Sequence, residues 1–159
     1  MQSMSGRVNV SASYVRRSGF TMLEFLFVTA IISILAMIAV PFYQVYRSRV
    51  KVAGELGLIE PVKKRMLEVY MTKSEWPVNN EEALLDDAGA YTGNYLTGIE
   101  VSDTPQPGTI ILSFDSTKLP ALGENNILVF YPVTVNGGSV SWACDQGTMD
   151  DNFRPPNCR

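Results

Sequence analysis

Apolar residues are distributed very unevenly along this chain. From Phe20 to Tyr46, 21 of 27 residues are apolar, and Phe25–Tyr46 is a run of 22 without a charge. As an α-helix those 22 residues would extend about 33 Å at about 1.5 Å per residue, enough to cross the hydrocarbon core of a bilayer. Thr29 and Ser33 are too few to give the segment the polar face of a helix lying on a soluble core. A secretory signal peptide has an apolar region of roughly 7–15 residues before a small-residue cleavage site; this run is longer and ends at Phe42-Tyr43 and Arg47. The pattern predicts a membrane-spanning helix.

Beyond it, residues 44–73 keep a helical rhythm but become amphipathic. Val45, Val52, Leu56, Ile59, Val62 or Met66, and Val69 recur at threes, fours and sevens, which predicts one apolar stripe. Lys63-Lys64-Arg65 fall on other faces, as a solvated or subunit-contacting surface. Gly54, Gly57 and Pro61 weaken such a helix, by about 1 kcal/mol per glycine and about 3 kcal/mol for proline. The stripe therefore needs a sheet to pack against, and a break is expected near Pro61.

Residues 74–98 are punctuated by Pro77, Asn79-Asn80, Gly89, Gly93 and Gly98 and predict a long loop, with one short helix at Glu81–Asp87. The rhythm then changes to strands at Ile99–Val101, Thr109–Phe114, Ile127–Val135 and Ser139–Cys144, with Asn136-Gly137-Gly138 as a hairpin turn between the last two. The predicted fold is α+β: a long N-terminal helix whose membrane half protrudes and whose second half packs on a four-stranded antiparallel sheet.

Charge divides the chain along the same lines. Residues 1–19 carry three arginines and no acid, residues 20–46 only Glu24, residues 47–70 six bases and three acids, and residues 71–159 four bases and twelve acids. The C-terminal part is thus a poor electrostatic partner for nucleic acid or anionic lipid, although Lys118, Arg154 and Arg159 could cluster locally. The chain has no histidine, the commonest general base and metal ligand. Ser113, Ser139 and Ser141 have no partner for nucleophilic catalysis, and Asp115 with Glu124 is an ordinary acidic pair. No enzyme activity and no cofactor are expected.

Glu24 is the informative polar residue, since a carboxylate at the edge of a membrane helix is costly and usually faces a partner. Arg16-Arg17 would hold the preceding end in the cytoplasm, but Arg47, Arg49 and Lys51 follow the other end and nearly balance it. A twin-arginine export signal is a second reading of Arg16-Arg17, one that Glu24 and the long apolar run fit badly. If the chain were cut between Gly19 and Phe20, the new α-amine would be a cation close to hydrocarbon, which a carboxylate on a neighbouring chain could neutralise.

Gly19-Phe20-Thr21-Met22-Leu23-Glu24 resembles the type III signal of type IV prepilins: a basic leader ending in Gly, an aromatic first mature residue, and Glu as the fifth. The stretch from Phe20 to Arg49 is similar to the N-terminal helix of type IVa pilins, including Pro41 at the family's first helix proline. Two features depart from the family pattern. The 19-residue leader is longer than most, although a start at Met4 would shorten it to 16, and Ser33 stands where many members have Gly. The resemblance implies that a prepilin peptidase cuts after Gly19 and N-methylates Phe20. It also implies that Glu24 pairs with an adjacent subunit's terminus during assembly, and that the helix melts between Ser33 and Pro41 in the filament. A local break at Pro41 is expected on physical grounds too.

Cys144 and Cys158 are open to three readings: free buried thiols, a metal pair or a disulfide. Two cysteines without a histidine fall short of a zinc ligand set, and oxidation is expected if this part of the chain lies outside the cytoplasm. Closure of the loop would stabilise by roughly 3 kcal/mol in the chain-entropy model and pin a tail, Asp145–Asn157, with little apolar content of its own. In the resembled family this is the disulfide-closed C-terminal loop.

The implied organisation is a leader at 1–19, a transmembrane and filament-core helix at 20–46, an amphipathic helix at 47–73 and a globular head at 74–159. The head comprises a loop at 74–98, a sheet at 99–144 and a disulfide loop at 144–158. The implied partners are further copies of the chain in a homopolymeric filament, the prepilin peptidase, the assembly platform of the bacterial inner membrane, and the membrane itself before assembly. The implied location is the inner membrane with leader cytoplasmic and head periplasmic, then the extracellular pilus. Adhesion, twitching motility and DNA uptake are functions of the family. The alternatives are a minor pilin, a DNA-uptake pilin, or a type II secretion pseudopilin with Asp145, Asp150, Asp151 and Asn152 as calcium ligands.

Overall fold

The structure is a computed structural model that describes residues 19–135 and 138–159. The residues before Gly19, where a leader is expected, and Asn136-Gly137 of the expected hairpin turn, lie outside the described residues. The chain divides into two units, one ending at Ile38 and one running Ala39–Arg159.

Helix α1 (Met22–Glu55) is followed by a 3₁₀ segment, Leu56–Leu58, and then by α2 (Ile59–Lys73). The expected interruption is therefore present, but it sits at Gly57 rather than at Pro61. Pro61 falls in the first turn of α2, where a backbone N–H has no helical acceptor in any case. The expected break at Pro41 is not seen, because α1 continues through it. Proline's fixed φ of about −65° is itself helical, so the ring removes the donor to the Met37 carbonyl without ending the helix.

The buried stripe of the second unit reads Ser48, Val52, Glu55, Ile59, Val62, Met66 and Val69, alternating steps of four and three so that one face meets the core. Val45 and Leu56 pack at its margin. The sequence pattern found the aliphatic members but passed over Ser48 and Glu55. Lys63, assigned above to a solvated or subunit-contacting face, instead lays its ammonium 4.6 Å from the centre of the Phe130 ring, with its side chain only 16% exposed.

The sheet has four antiparallel strands in sequential order: β1 (Leu96–Ser102), β2 (Thr109–Phe114), β3 (Ile127–Val135) and β4 (Ser139–Gln146). Leu112 lies opposite Ile99 on one side and Leu128 on the other, and Ile110 opposite Val101 and Phe130. These six side chains are buried together with the helix stripe, on the face that period-two alternation selects. β3 tolerates Pro132 because its ladder with β2 ends at Phe130. The Pro132 carbonyl accepts from the Gln106 amide at 2.7 Å instead.

The segment between α2 and β1 departs from the expected loop with a helix at Glu81–Asp87. Asn79 Oδ1 accepts from the Glu82 N–H and Glu82 Oε2 from the Val78 N–H, the exchange that starts a helix. Only one turn forms, and Leu84 is left-handed at φ 55°. Asn80 turns the chain away: its amide N donates to the Ile99 and Asp86 carbonyls and its Oδ1 accepts from the Val101 N–H at 2.6 Å. The helical segment that does occur is a 3₁₀ turn at Ala88–Ala90, and β1 begins three residues earlier than expected, at Leu96.

Candidate assembly surface

The described residues of the first unit are 19–38, which contain the start of α1. Gly19 and Phe20 are exposed and precede the helix, so the peptide bond between them is outside regular structure. Thr21 caps α1, its Oγ1 accepting from the Glu24 N–H at 3.2 Å, in the Thr-x-x-Glu spacing that favours a helix start. Glu24 therefore lies in the first turn, where the helix dipole favours a carboxylate. Phe20, Met22, Leu23, Phe25, Leu26 and Phe27 are all more than half exposed. The apolar segment places none of its most hydrophobic 18-residue window inside the protein. Thr29 and Ser33 donate their hydroxyls to the Leu26 and Thr29 carbonyls, so neither hydroxyl needs water. Such an exposed apolar surface calls for lipid or protein around it.

The C-terminal loop belongs to the second unit. Cys144 on β4 is bonded to Cys158, which selects the disulfide from the three readings of these cysteines. The tail is not poor in anchors, as its composition suggested: Met149 is 1% exposed and Phe153 8%. Arg154 is buried, and its guanidinium donates to the Met149, Gly147 and Asp145 carbonyls, with Asp151 at 3.6 Å. Arg154 is thus a structural clamp and not available to a basic nucleic-acid patch. Arg49 of α1 reaches over to the same loop and donates to the Asn152 carbonyl at 2.9 Å.

The calcium candidates are not brought together. Asp145 accepts from the Tyr131 hydroxyl at 2.6 Å, Asp151 turns to Arg154, and among the described residues no group of three acidic, histidine or cysteine side chains could hold a metal ion. The hydrogen bond to Asp145 also pushes the Tyr131 phenol above its usual range, because it is the protonated form that donates.

Glu55 is the other polar residue that the periodicity could not find. Its buried carboxylate accepts from the Tyr95 N–H at 3.1 Å, tying the helix to the chain that enters β1. A Cβ on Gly93 would overlap that carboxylate, so this approach requires glycine.

Asp115, at the end of β2, accepts from the Thr117 hydroxyl at 2.6 Å and from the Thr117 N–H at 2.9 Å. These bonds, with Lys118 nearby, hold its carboxyl below the usual value of 3.8. A depressed folded-state pKa contributes stability above the unfolded value that disappears as pH falls through the folded one. Asp115→Asn should therefore be less stable than wild type at neutral pH, with the gap closing as the solution is acidified below 3.8. Urea unfolding at pH 7 and pH 3 measures this; a gap that is the same at both would disprove it.

Comparison with known proteins bears on this arrangement directly. The family described as pilin, a bacterial filament protein, matches residues 48–159. The chain is 34% identical over 143 residues to the fimbrial protein EcpC of Eikenella corrodens, covering 90% of this chain and 91% of that one. It is 31% identical over 135 residues to a type IV major pilin protein PilE1 of Neisseria gonorrhoeae, covering 82% and 76% of the two chains. A solved type IV pilin from Pseudomonas aeruginosa, strain Pa110594, shares the fold with a TM-score of 0.51 at 18% identity, covering 70% of this chain and 97% of that one. The family is one of structural filament subunits and not of enzymes. An N-terminal helix with an exposed apolar surface, an antiparallel sheet, a disulfide-closed tail and these relatives place the chain in the pilin family, as a type IV pilin.

Proposed function

We propose that this chain is a main structural subunit of a type IV pilus, made as a precursor that is cut between Gly19 and Phe20 and methylated on the new Phe20 amine. Before assembly Phe20–Tyr46 stands in the inner membrane with the head on the periplasmic side. During assembly the same surface moves from lipid into the filament, where neighbouring helices replace acyl chains. Burial is favourable in both settings, so growth and retraction need work from a motor, and register comes from the polar group in the apolar stretch, Glu24. Its carboxylate neutralises the α-amine of an adjacent subunit's Phe20, a charge-assisted contact that low dielectric strengthens. The prepilin peptidase and the inner-membrane assembly platform are the partners this cycle requires. Adhesion and twitching motility follow from an extensible filament, and DNA uptake from its surface is disfavoured by an excess of eight acids over bases in residues 71–159.

The observation that carries the reading is the exposed apolar surface beginning one residue after Gly19 and holding one carboxylate within its first helical turn. Mass spectrometry of purified filaments should find a chain that starts at Phe20 and carries one added methyl group. A filament subunit that retains Met1, or starts at any other residue, would contradict the processing step.

A further inference from the structure

The geometry points to a second binding site, for the phosphate of an anionic phospholipid, in the cleft between α1 and the β2–β3 connection. The inference rests on the membrane-anchored reading above and adds a ligand to it. The cleft has a volume of about 400 Å³ and lies wholly within the second unit. Arg47, Ser48 and Lys51 line it from the helix, and Lys118, Leu119 and Pro120 from the opposite side.

Three cations converge here with little to neutralise them. Lys118 has the Asp115 carboxylate 3.6 Å away and donates to the Asn94 carbonyl at 2.9 Å. Among the described residues no carboxylate lies within 4.0 Å of Arg47 or Lys51. Each is steadied by an aromatic ring instead, Arg47 at 5.8 Å from the centre of Tyr43 and Lys51 at 4.6 Å from that of Tyr95. Stacking of this kind positions a cation while leaving its N–H donors free. The result is a recess with net positive charge and several unused donors, which suits a compact oxyanion.

Its place in the chain identifies the source of the anion. Arg47 immediately follows the uncharged run that ends at Tyr46, and Tyr43 and Tyr46 are exposed. Tyrosines and then basic residues at the end of an apolar helix mark the headgroup layer. When the span occupies the bilayer, the cleft therefore opens at the depth of the lipid phosphates, with Pro120 as an apolar wall beside the glycerol. Anionic lipid is attracted to juxtamembrane cations by about 1 kcal/mol per charge, roughly a fivefold change in affinity. The acidity of the head as a whole does not oppose this, since the cleft is a local exception to it.

The test uses the full chain in micelles containing equal amounts of phosphatidylglycerol and phosphatidylcholine, with retained lipid read by native mass spectrometry. The wild-type chain should keep one phosphatidylglycerol in preference to phosphatidylcholine. Lys51→Gln with Lys118→Gln should weaken that retention roughly 25-fold, whereas Lys64→Gln with Lys73→Gln, equal in charge but away from the cleft, should not. Equal retention of the two lipids, or equal loss in both double variants, overturns the site. Displacement by inorganic phosphate at the same concentration overturns the lipid assignment, as does a Lys51/Lys118 variant that loses self-association but keeps the lipid. Alkaline extraction of membranes separates the two levels: a chain that stays in the membrane without lipid preference refutes only the cleft, and a chain that is washed out refutes the anchored reading as well.

Discussion

Arg154→Met should lower the stability of the folded head by about 3 kcal/mol, roughly 10 °C in melting temperature. Methionine fills much of the same volume, so the loss is chiefly electrostatic. The guanidinium satisfies carbonyls of Asp145, Gly147 and Met149 from one planar fork while buried to 7% exposure. Removing it takes the donor from the carbonyl of buried Met149 and from those of Asp145 and Gly147 at the exposed rim of the loop, and a buried polar group without its partner costs about 1–3 kcal/mol. Arg154→Lys should recover part of the loss, because an ammonium can reach some but not all of three separated carbonyls. Reduction of Cys144–Cys158 should cost a similar amount, roughly 3 kcal/mol. Combining it with Arg154→Met should cost less than the sum, since both act on one loop. Urea unfolding of the full chain in detergent, followed by near-ultraviolet circular dichroism, measures all three; a methionine variant within about 0.5 kcal/mol of wild type would show that the loop is held without the arginine.

Glu24→Val should have the opposite signature: unchanged or better membrane insertion with assembly reduced by about tenfold or more, equivalent to about 1.4 kcal/mol per subunit contact. Removing an acid from the apolar stretch eases insertion, so a folding or targeting defect predicts the reverse ordering. Without the carboxylate, the α-amine of a neighbouring Phe20 would enter the filament core as an unpaired cation, the penalty that makes half of a buried ion pair worse than none. Glu24→Asp keeps the charge on a shorter arm and should give intermediate yields. The readout is sheared filament mass against membrane-resident subunit in the same cells. Wild-type filament yield from the valine variant would remove Glu24 from the assembly mechanism.

Much of the fold was legible in the sequence because it is written in apolar periodicity. The uncharged run, the aliphatic members of the helix stripe and the cores of all four strands follow from spacing alone, and the resemblance at the N-terminus lies in contiguous residues. The remainder depends on polar groups whose partners are distant in the chain. Ser48 and Glu55 occupy stripe positions that their chemistry disguises, and Glu55 is explained only by the Tyr95 N–H forty residues away. Arg154 read as a surface base because nothing local shows that three carbonyls will surround it. The expected helix at Glu81–Asp87 had its starting signal in Asn79 and Glu82, and failed because Asn80 finds β1. Local signals thus announced a helix that a long-range hydrogen bond stopped after one turn.

The position of Asn80 matters for a protein that lives at very high local concentration. An uncovered sheet margin invites strands from neighbouring molecules and leads to cross-β growth. Along the outer margin of β1, the Asn80 amide occupies the Ile99 carbonyl and the Val101 N–H as another strand would. At the opposite margin the tail is fastened to β4 through Cys144. With both margins engaged by the chain itself, packed heads are discouraged from fusing into a continuous sheet. On the proposed reading, polymerisation is left to the helices.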